Sequence, residues 1–201
     1  MSEIFNYIDY IGTFVFAITG ASIAGKSKFD FFGMLFLAFL TAAGGGTVRD
    51  LIIGQPVFWT NNSIYLYLIF ISTLSTFFLV KFYDKNKTLL LILDTLGVGT
   101  FVIIGTHKTL IHGFNNETAL IMGTTSAVLG GILRSAFSKE FSILASKELY
   151  ATIAAISSLI FIMLIKVNIA LNSCAFIVIA VTFVVRYISI KLKIQLPLFK
   201  G

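Results

Sequence analysis

Seven long apolar stretches divide this chain, at roughly 9–25, 31–50, 62–80, 89–107, 118–137, 148–166 and 169–190. Short polar runs separate them. These are Lys26-Ser27-Lys28, Pro56 with Asn61-Asn62, Lys81 through Lys87, His107 to Glu117, Ser138 to Lys147, and a tight Lys166–Asn168 connection. A helix needs about 20 residues to cross a hydrocarbon core of about 30 Å, and each stretch comes near that length. The runs are continuous rather than alternating, which predicts helices and not the strands of a membrane barrel. Lipid offers no water to backbone groups, so segments this apolar must pair their own amides and carbonyls. Both prolines, Pro56 and Pro197, fall outside the stretches. The expectation is an all-α integral membrane protein with seven transmembrane helices.

Composition agrees. Charged residues make up 12% of the chain, about half the share usual in soluble domains, and mean hydropathy is +0.96. The net charge of +6 then reads as a topology signal rather than as an affinity for nucleic acid. Alternate polar runs hold Lys26, Lys28, Lys81, Lys85, Lys87, Lys139, Lys147, Lys191, Lys193 and Lys200, against only Lys108 and Lys166 on the other side. Arg49, Arg134 and Arg186 lie within or at the ends of stretches and are left out of this count. Lysine-rich connections stay cytoplasmic, which predicts a multi-pass protein of the plasma or inner membrane, N-terminus outside and C-terminus inside. The N-terminal residues lack the basic start of a cleaved leader, so the first stretch is expected to be a retained helix.

The chain also repeats itself. At an offset of 85 residues, Asp9, Gly12, Phe16, Ile18 and Gly20 match Asp94, Gly97, Phe101, Ile103 and Gly105 without a gap. Phe29, Leu35, Ala42, Gly45, Gly46 and Arg49 likewise match Phe114, Leu120, Ala127, Gly130, Gly131 and Arg134. The matched glycines, aspartate and arginine make duplication the economical explanation. Each unit then holds three spans, within 1–88 and 89–167, and 168–201 adds a seventh helix and a cytoplasmic tail. Three crossings is an odd number, so the second unit is inverted relative to the first, a symmetry familiar among membrane transport proteins.

Two elements draw attention within the repeat. The second stretch carries Thr41-Ala42-Ala43-Gly44-Gly45-Gly46-Thr47-Val48-Arg49-Asp50, and the fifth a weaker version, Ser126 to Ser135 with Gly130, Gly131 and Arg134. Consecutive glycines weaken a helix by roughly 1 kcal/mol each relative to alanine. They serve either close helix packing or a bent, unwound turn that offers carbonyls to a cation. Arg49 and Arg134 suit interfacial anchoring or a gating role, with Asp50, Asp9 or Asp94 as partners. Asp9 and Asp94 also fit helix starts, where a carboxylate caps free amides. Thr13, Thr19, Ser22, Thr41, Thr47, Thr124, Thr125 and Ser126 can line a hydrated path or bond their own helices.

Nothing in the chain assembles into an enzyme site, a metal cluster or a cofactor site. Gly44–Gly46 lacks the lysine–serine ending of a phosphate loop. His107 and His112 are expected to be solvated loop residues, and Cys174 a small packing residue.

The stretch from Gly12 through the GGGTVRD element to Pro56-Val57-Phe58-Trp59, with LDTLGVGTFVIIG and GGILR in the second unit, resembles a bacterial and archaeal membrane family. That family is the trimeric intracellular cation channel type, whose repeated domain is also called a glycine-transporter domain. The resemblance covers essentially the whole chain. It implies two inverted three-helix units with an accessory helix, in homotrimers surrounded by membrane lipids. Each protomer would have its own pore for monovalent cations, favouring K+. It further implies bends at Gly44, Gly45, Gly46, Gly130 and Gly131, with Arg49, Asp50 and Arg134 near the pore. Leu129 and Ser135 depart from the pattern, where a third glycine and an aspartate would stand. Two other functions stay open: a carrier for glycine or another small amino acid, and a structural protein whose glycines only pack.

Cysteines introduced at Lys28 and Lys166 are expected to react with an impermeant thiol reagent from opposite sides of the membrane. Labelling of both from one side would overturn the odd number of crossings between them.

Overall fold

A computed structural model describes residues 3–137, 149–192 and 194–195, with the backbone alone at 80–85 and 87. In order, the helices are α1 (Glu3–Lys26), α2 (Phe31–Ile52), α3 (Phe58–Asn61), α4 (Ile64–Lys85), α5 (Lys87–Ile111), α6 (Asn116–Ala136), α7 (Tyr150–Lys166) and α8 (Leu171–Lys191). The seven long helices are the seven apolar stretches. Five are long and apolar enough to cross a membrane, and α4 and α7 contribute the shorter apolar lengths Ile64–Leu79 and Tyr150–Lys166. The expected Ser138–Lys147 connection and the tail from 196 onward lie outside the described residues. The short α3, in the connection after Pro56, is an element the apolar pattern does not predict.

Several helices run past their apolar cores, because a helix is free to continue once it leaves the hydrocarbon. α1 begins at Glu3, and α5 continues to Ile111. This corrects two expectations. His107 and Lys108 belong to the last turns of α5 and not to a connection. His107 is buried, its ring 4.6 Å from that of Phe5. His112 is the exposed C-cap, with Nδ1 2.7 Å from the Lys108 carbonyl. Cys174 is buried against the end of α7 as expected.

The duplication is visible in the turns as well as in the sequence. The α1–α2 turn places Lys28 at φ 61°, and its counterpart Gly113 in the α5–α6 turn has φ 83°. Phe29 N–H donates to Ala24 O at 3.0 Å, and Phe114 N–H donates to the equivalent Thr109 O at 3.4 Å. Asp30 caps α2 by accepting from Gly33 N–H, and Asn115 caps α6 by accepting from Thr118 N–H, each at 2.8 Å. One device, a left-handed residue followed by an N-cap, therefore builds both hairpins. The three-helix units are α1–α2–α4 and α5–α6–α7, inverted with respect to each other, and α8 packs on α5 and α7.

The units meet along α1, α5, α2 and α6. Phe16 packs on its own counterpart Phe101, with ring centroids 5.1 Å apart. The glycines allow the closest contacts. A Cβ on Gly45 would lie 2.2 Å from the Ser126 carbonyl oxygen, and one on Gly130 would lie 2.1 Å from the Thr41 carbonyl oxygen. Ser126 is the repeat counterpart of Thr41, so the two contacts are a reciprocal pair. Within each unit, Gly20 meets Thr41 and Ala38 while Gly105 meets the equivalent Ser126 and Gly123. α2 and α6 remain helical without a break through their glycines. Close backbone approach, one of the uses open to these residues, is present at the crossing.

A methyl group at either crossing must push two helix backbones apart. Overpacking of this kind costs roughly 1–3 kcal/mol, so G45A and G130A are expected to lower the melting temperature in detergent. G99A is the control, since a Cβ there finds ordinary contacts from 3.5 Å outward. An equal effect at all three positions would remove the special status of the crossing.

Candidate functional site

The helix ends carry two buried charge networks, one at each end of the bundle. The first gathers where α1 and α4 begin and where α2 and α5 finish. Asp50, fully buried, takes Arg49 Nε at 2.8 Å and Arg49 Nη2 at 2.7 Å on one carboxylate oxygen. Lys108 Nζ reaches the same oxygen at 2.9 Å. The other oxygen accepts the Phe58 N–H at 3.0 Å, which ties α3 to the end of α2. Asp9 is buried beside this group and accepts the Tyr65 hydroxyl at 2.7 Å. The group thus gathers two acidic side chains, Asp9 and Asp50, and two cations, Arg49 and Lys108.

α3 completes this end of the bundle. The Phe58 ring covers Gly46, where a Cβ would stand 2.7 Å from its edge, and Trp59 Nε1 donates to the Thr47 hydroxyl at 3.0 Å. Phe58 also packs edge-on against Tyr65, centroids 4.6 Å apart. The glycine–arginine element and the Pro56–Trp59 run are therefore two parts of one structure. Neither buries its polar groups without the other.

The second network lies at the opposite end, where α5 and α7 begin and α6 and α8 finish. Asp94 takes Arg134 Nη2 at 2.8 Å on one oxygen and Arg186 Nη2 on the other. Arg134 Nη1 also donates to the Thr19 hydroxyl at 2.7 Å, crossing from α6 to α1. The Arg186 guanidinium stacks on Tyr150, 4.5 Å from the ring centroid. Arg49 and Arg134 are thus buried and paired, not interfacial anchors. Removing one partner of such a buried pair typically costs 3–5 kcal/mol.

Between the networks, the small polar residues separate into two groups. Thr19, Thr41, Thr47 and Thr124 donate to carbonyls of their own helices at 2.7 to 2.8 Å. Thr13 Oγ1, Ser22 Oγ and Ser126 Oγ are buried without a hydrogen-bond partner among the described residues. Ser126 sits at the α2–α6 crossing, beside Gly45 and Gly105. Gly44 faces Leu133 across the crossing, and Gly131 is buried in α6.

Of the residues singled out in the sequence, the fold brings Thr41, Gly45, Ser126 and Gly130 together midway. It places Asp9, Arg49 and Asp50 at one end and Asp94 and Arg134 at the other. Lys108, Arg186, Tyr65 and Tyr150 are members that the sequence pattern did not single out. Tyr65 and Tyr150 are themselves 85 residues apart, a signal that lies beyond the well-matched window. The described residues bring no three of His, Cys, Asp or Glu together as metal ligands.

A domain family described as glycine transporter matches the chain twice, over residues 6–81 and 91–166. The starts of the two matches differ by 85 residues (91 − 6), the offset of the repeat. A membrane protein of Vibrio cholerae is 34% identical over 194 residues, covering 96% of this chain and 81% of the relative. The Escherichia coli inner membrane protein YadS is 34% identical over 200 residues, covering 96% and 95%. Among solved structures, a trimeric intracellular cation channel orthologue from Rhodobacter sphaeroides superposes with a TM-score of 0.90 at 29% identity, over 95% of this chain and 99% of that one. Another TRIC cation channel gives a TM-score of 0.89 at 30% identity, over 98% of both chains. With both copies of the domain present and relatives matched along nearly their whole length, the chain belongs to the UPF0126 family of membrane proteins, whose fold is that of the TRIC channels.

Proposed function

We propose that the protein is a monovalent cation channel, favouring potassium, that works as a homotrimer with one pore in each protomer. The observation that carries this is the superposition of nearly the whole chain on a solved cation channel at 29% identity. We take residues 1–88 and 89–167 as the two inverted units and 168–201 as the addition. The path runs beside the glycine segments of α2 and α6, along Gly44, Gly45, Gly46, Gly130 and Gly131, with Thr41, Thr47 and Ser126 as polar lining. A conducting path must bind an ion well enough to admit it and weakly enough to release it. Neutral hydroxyls near mid-membrane suit that requirement better than a fixed charge.

The charge networks then stand at the two mouths. Asp9 and Asp50 with Arg49 form the mouth on the N-terminal side, which the lysine distribution assigns to the outside. Asp94 and Arg134 form the cytoplasmic one. Asp9, whose described partner is a phenol and not a cation, offers negative potential to an arriving cation.

A second function, a carrier for glycine or a similar zwitterion, is favoured by the name of the matching domain. Purified protein in planar bilayers separates the two. The channel predicts discrete potassium currents that persist without any amino acid. No current, together with saturable glycine uptake into proteoliposomes, would reverse the assignment. At residue level, S126V is expected to lower unit conductance by removing a buried hydroxyl from the path. An unchanged conductance would move the path away from the crossing.

A further inference from the structure

The repeat allows the two charge networks to be compared position by position. Asp9 corresponds to Asp94, Arg49 to Arg134, Tyr65 to Tyr150, and Asp50 to Ser135. In the second unit the arginine engages the aspartate that opens the unit, Arg134 on Asp94 at 2.8 Å. In the first unit the equivalent arginine turns instead to its own neighbour, Asp50. Asp9 is left with the Tyr65 hydroxyl, and no cation lies within ion-pair distance of it among the described residues. One molecule thus displays two pairings of the same three-helix framework. In the second unit the neutral Ser135 stands where the first has the carboxylate of Asp50.

We propose that Arg49 exchanges between Asp50 and Asp9, so that the network on the N-terminal side is a two-position switch while the opposite network is fixed. Charge balance permits the exchange. When Arg49 moves to Asp9, Asp50 keeps Lys108 and the Phe58 N–H, and every charge retains an opposite partner. Burial favours it too, since a carboxylate held by one neutral donor in a membrane interior is costly. The exchange has a mechanical consequence through α3. Asp50 holds the Phe58 backbone, and the Phe58 ring covers Gly46. Loss of Arg49 from Asp50 loosens the group that seats Phe58 over the glycine segment.

A gating role for this switch rests on the channel function proposed above, whereas the exchange itself does not. The two are therefore tested separately. Melting temperatures in detergent are measured for D9N, R49Q and the double variant, each with Asp50 intact and in a D50S background that imitates the second unit. Exchange predicts strongly non-additive shifts in the D50S background, where Arg49 has moved to Asp9, and weaker coupling with Asp50 intact. Additive shifts in both backgrounds, or equal coupling in both, would overturn it. In bilayers, D9N removes one pairing and D50S the other, so open probability is expected to shift in opposite directions. Shifts in the same direction, or none, would overturn the gating role. If the unaltered protein carries no potassium current, the channel assignment falls and the melting measurements still decide the exchange. If R49Q does not insert, R49K takes its place in the same melting cycle, with the same contrast between the two backgrounds expected.

Discussion

The bundle depends on two helix backbones touching where side chains would normally hold them apart. Gly45 lies against the Ser126 carbonyl and Gly130 against the Thr41 carbonyl, and these contacts set the distance between the inverted units. Within a membrane the hydrophobic effect does not drive helices together, so small residues and dense packing must supply the association. The remaining interior follows from this spacing. Gly20 and Gly105 bring α1 and α5 onto the same turns of α2 and α6, which leaves Phe16 and Phe101 to fill the space between α1 and α5. The charged residues are placed by the same geometry. Arg49 and Arg134 follow the crossing glycines by four positions, about 6 Å along a helix.

Placing those charges has a cost that local partners offset in part. A guanidinium or carboxylate taken out of water must find its partner and satisfy its remaining hydrogen-bonding atoms. Asp50 receives donors from three residues, one of them a backbone amide from α3. Asp94 is shared by two arginines, one supplied by the added helix α8. Each unit therefore satisfies its aspartate with help from outside the repeat pattern: the amide of a short helix in the first case, an arginine of the accessory helix in the second. The accessory helix is tied in further through Thr182, which donates to Ser157 of α7 at 2.7 Å.

Much of this was legible in the sequence because it depends on local composition. Apolar length marks each long helix, and the tight turn at Asn168, with φ 58°, falls where one lysine and one asparagine interrupt the pattern. The repeat was legible because glycine, aspartate and arginine rarely recur by chance in so apolar a chain. What the sequence hid was partnership over distance and the polar ends of helices. Lys108 and His107 look like loop residues, since a helix that has left the hydrocarbon carries no apolar signal. α3 is too short to show a period. Arg186 and Asp94 are 92 residues apart, and nothing in their immediate surroundings connects them. The glycine segments admitted two uses, and only their neighbours decide between an opened turn and a close contact.

The contact of Phe16 with Phe101 has a consequence for how such a chain arises. A residue that packs against its own counterpart lies on a two-fold axis, as in the isologous interface of a homodimer. The Gly45 and Gly130 contacts obey the same reciprocity. Two copies of one ancestral three-helix unit, inserted in opposite orientations, would present this same surface to each other. Fusion into a single chain then fixes one copy of each orientation. It also releases the two halves to diverge, as Asp50 and Ser135 have done, without one substitution being imposed on both sides of the membrane.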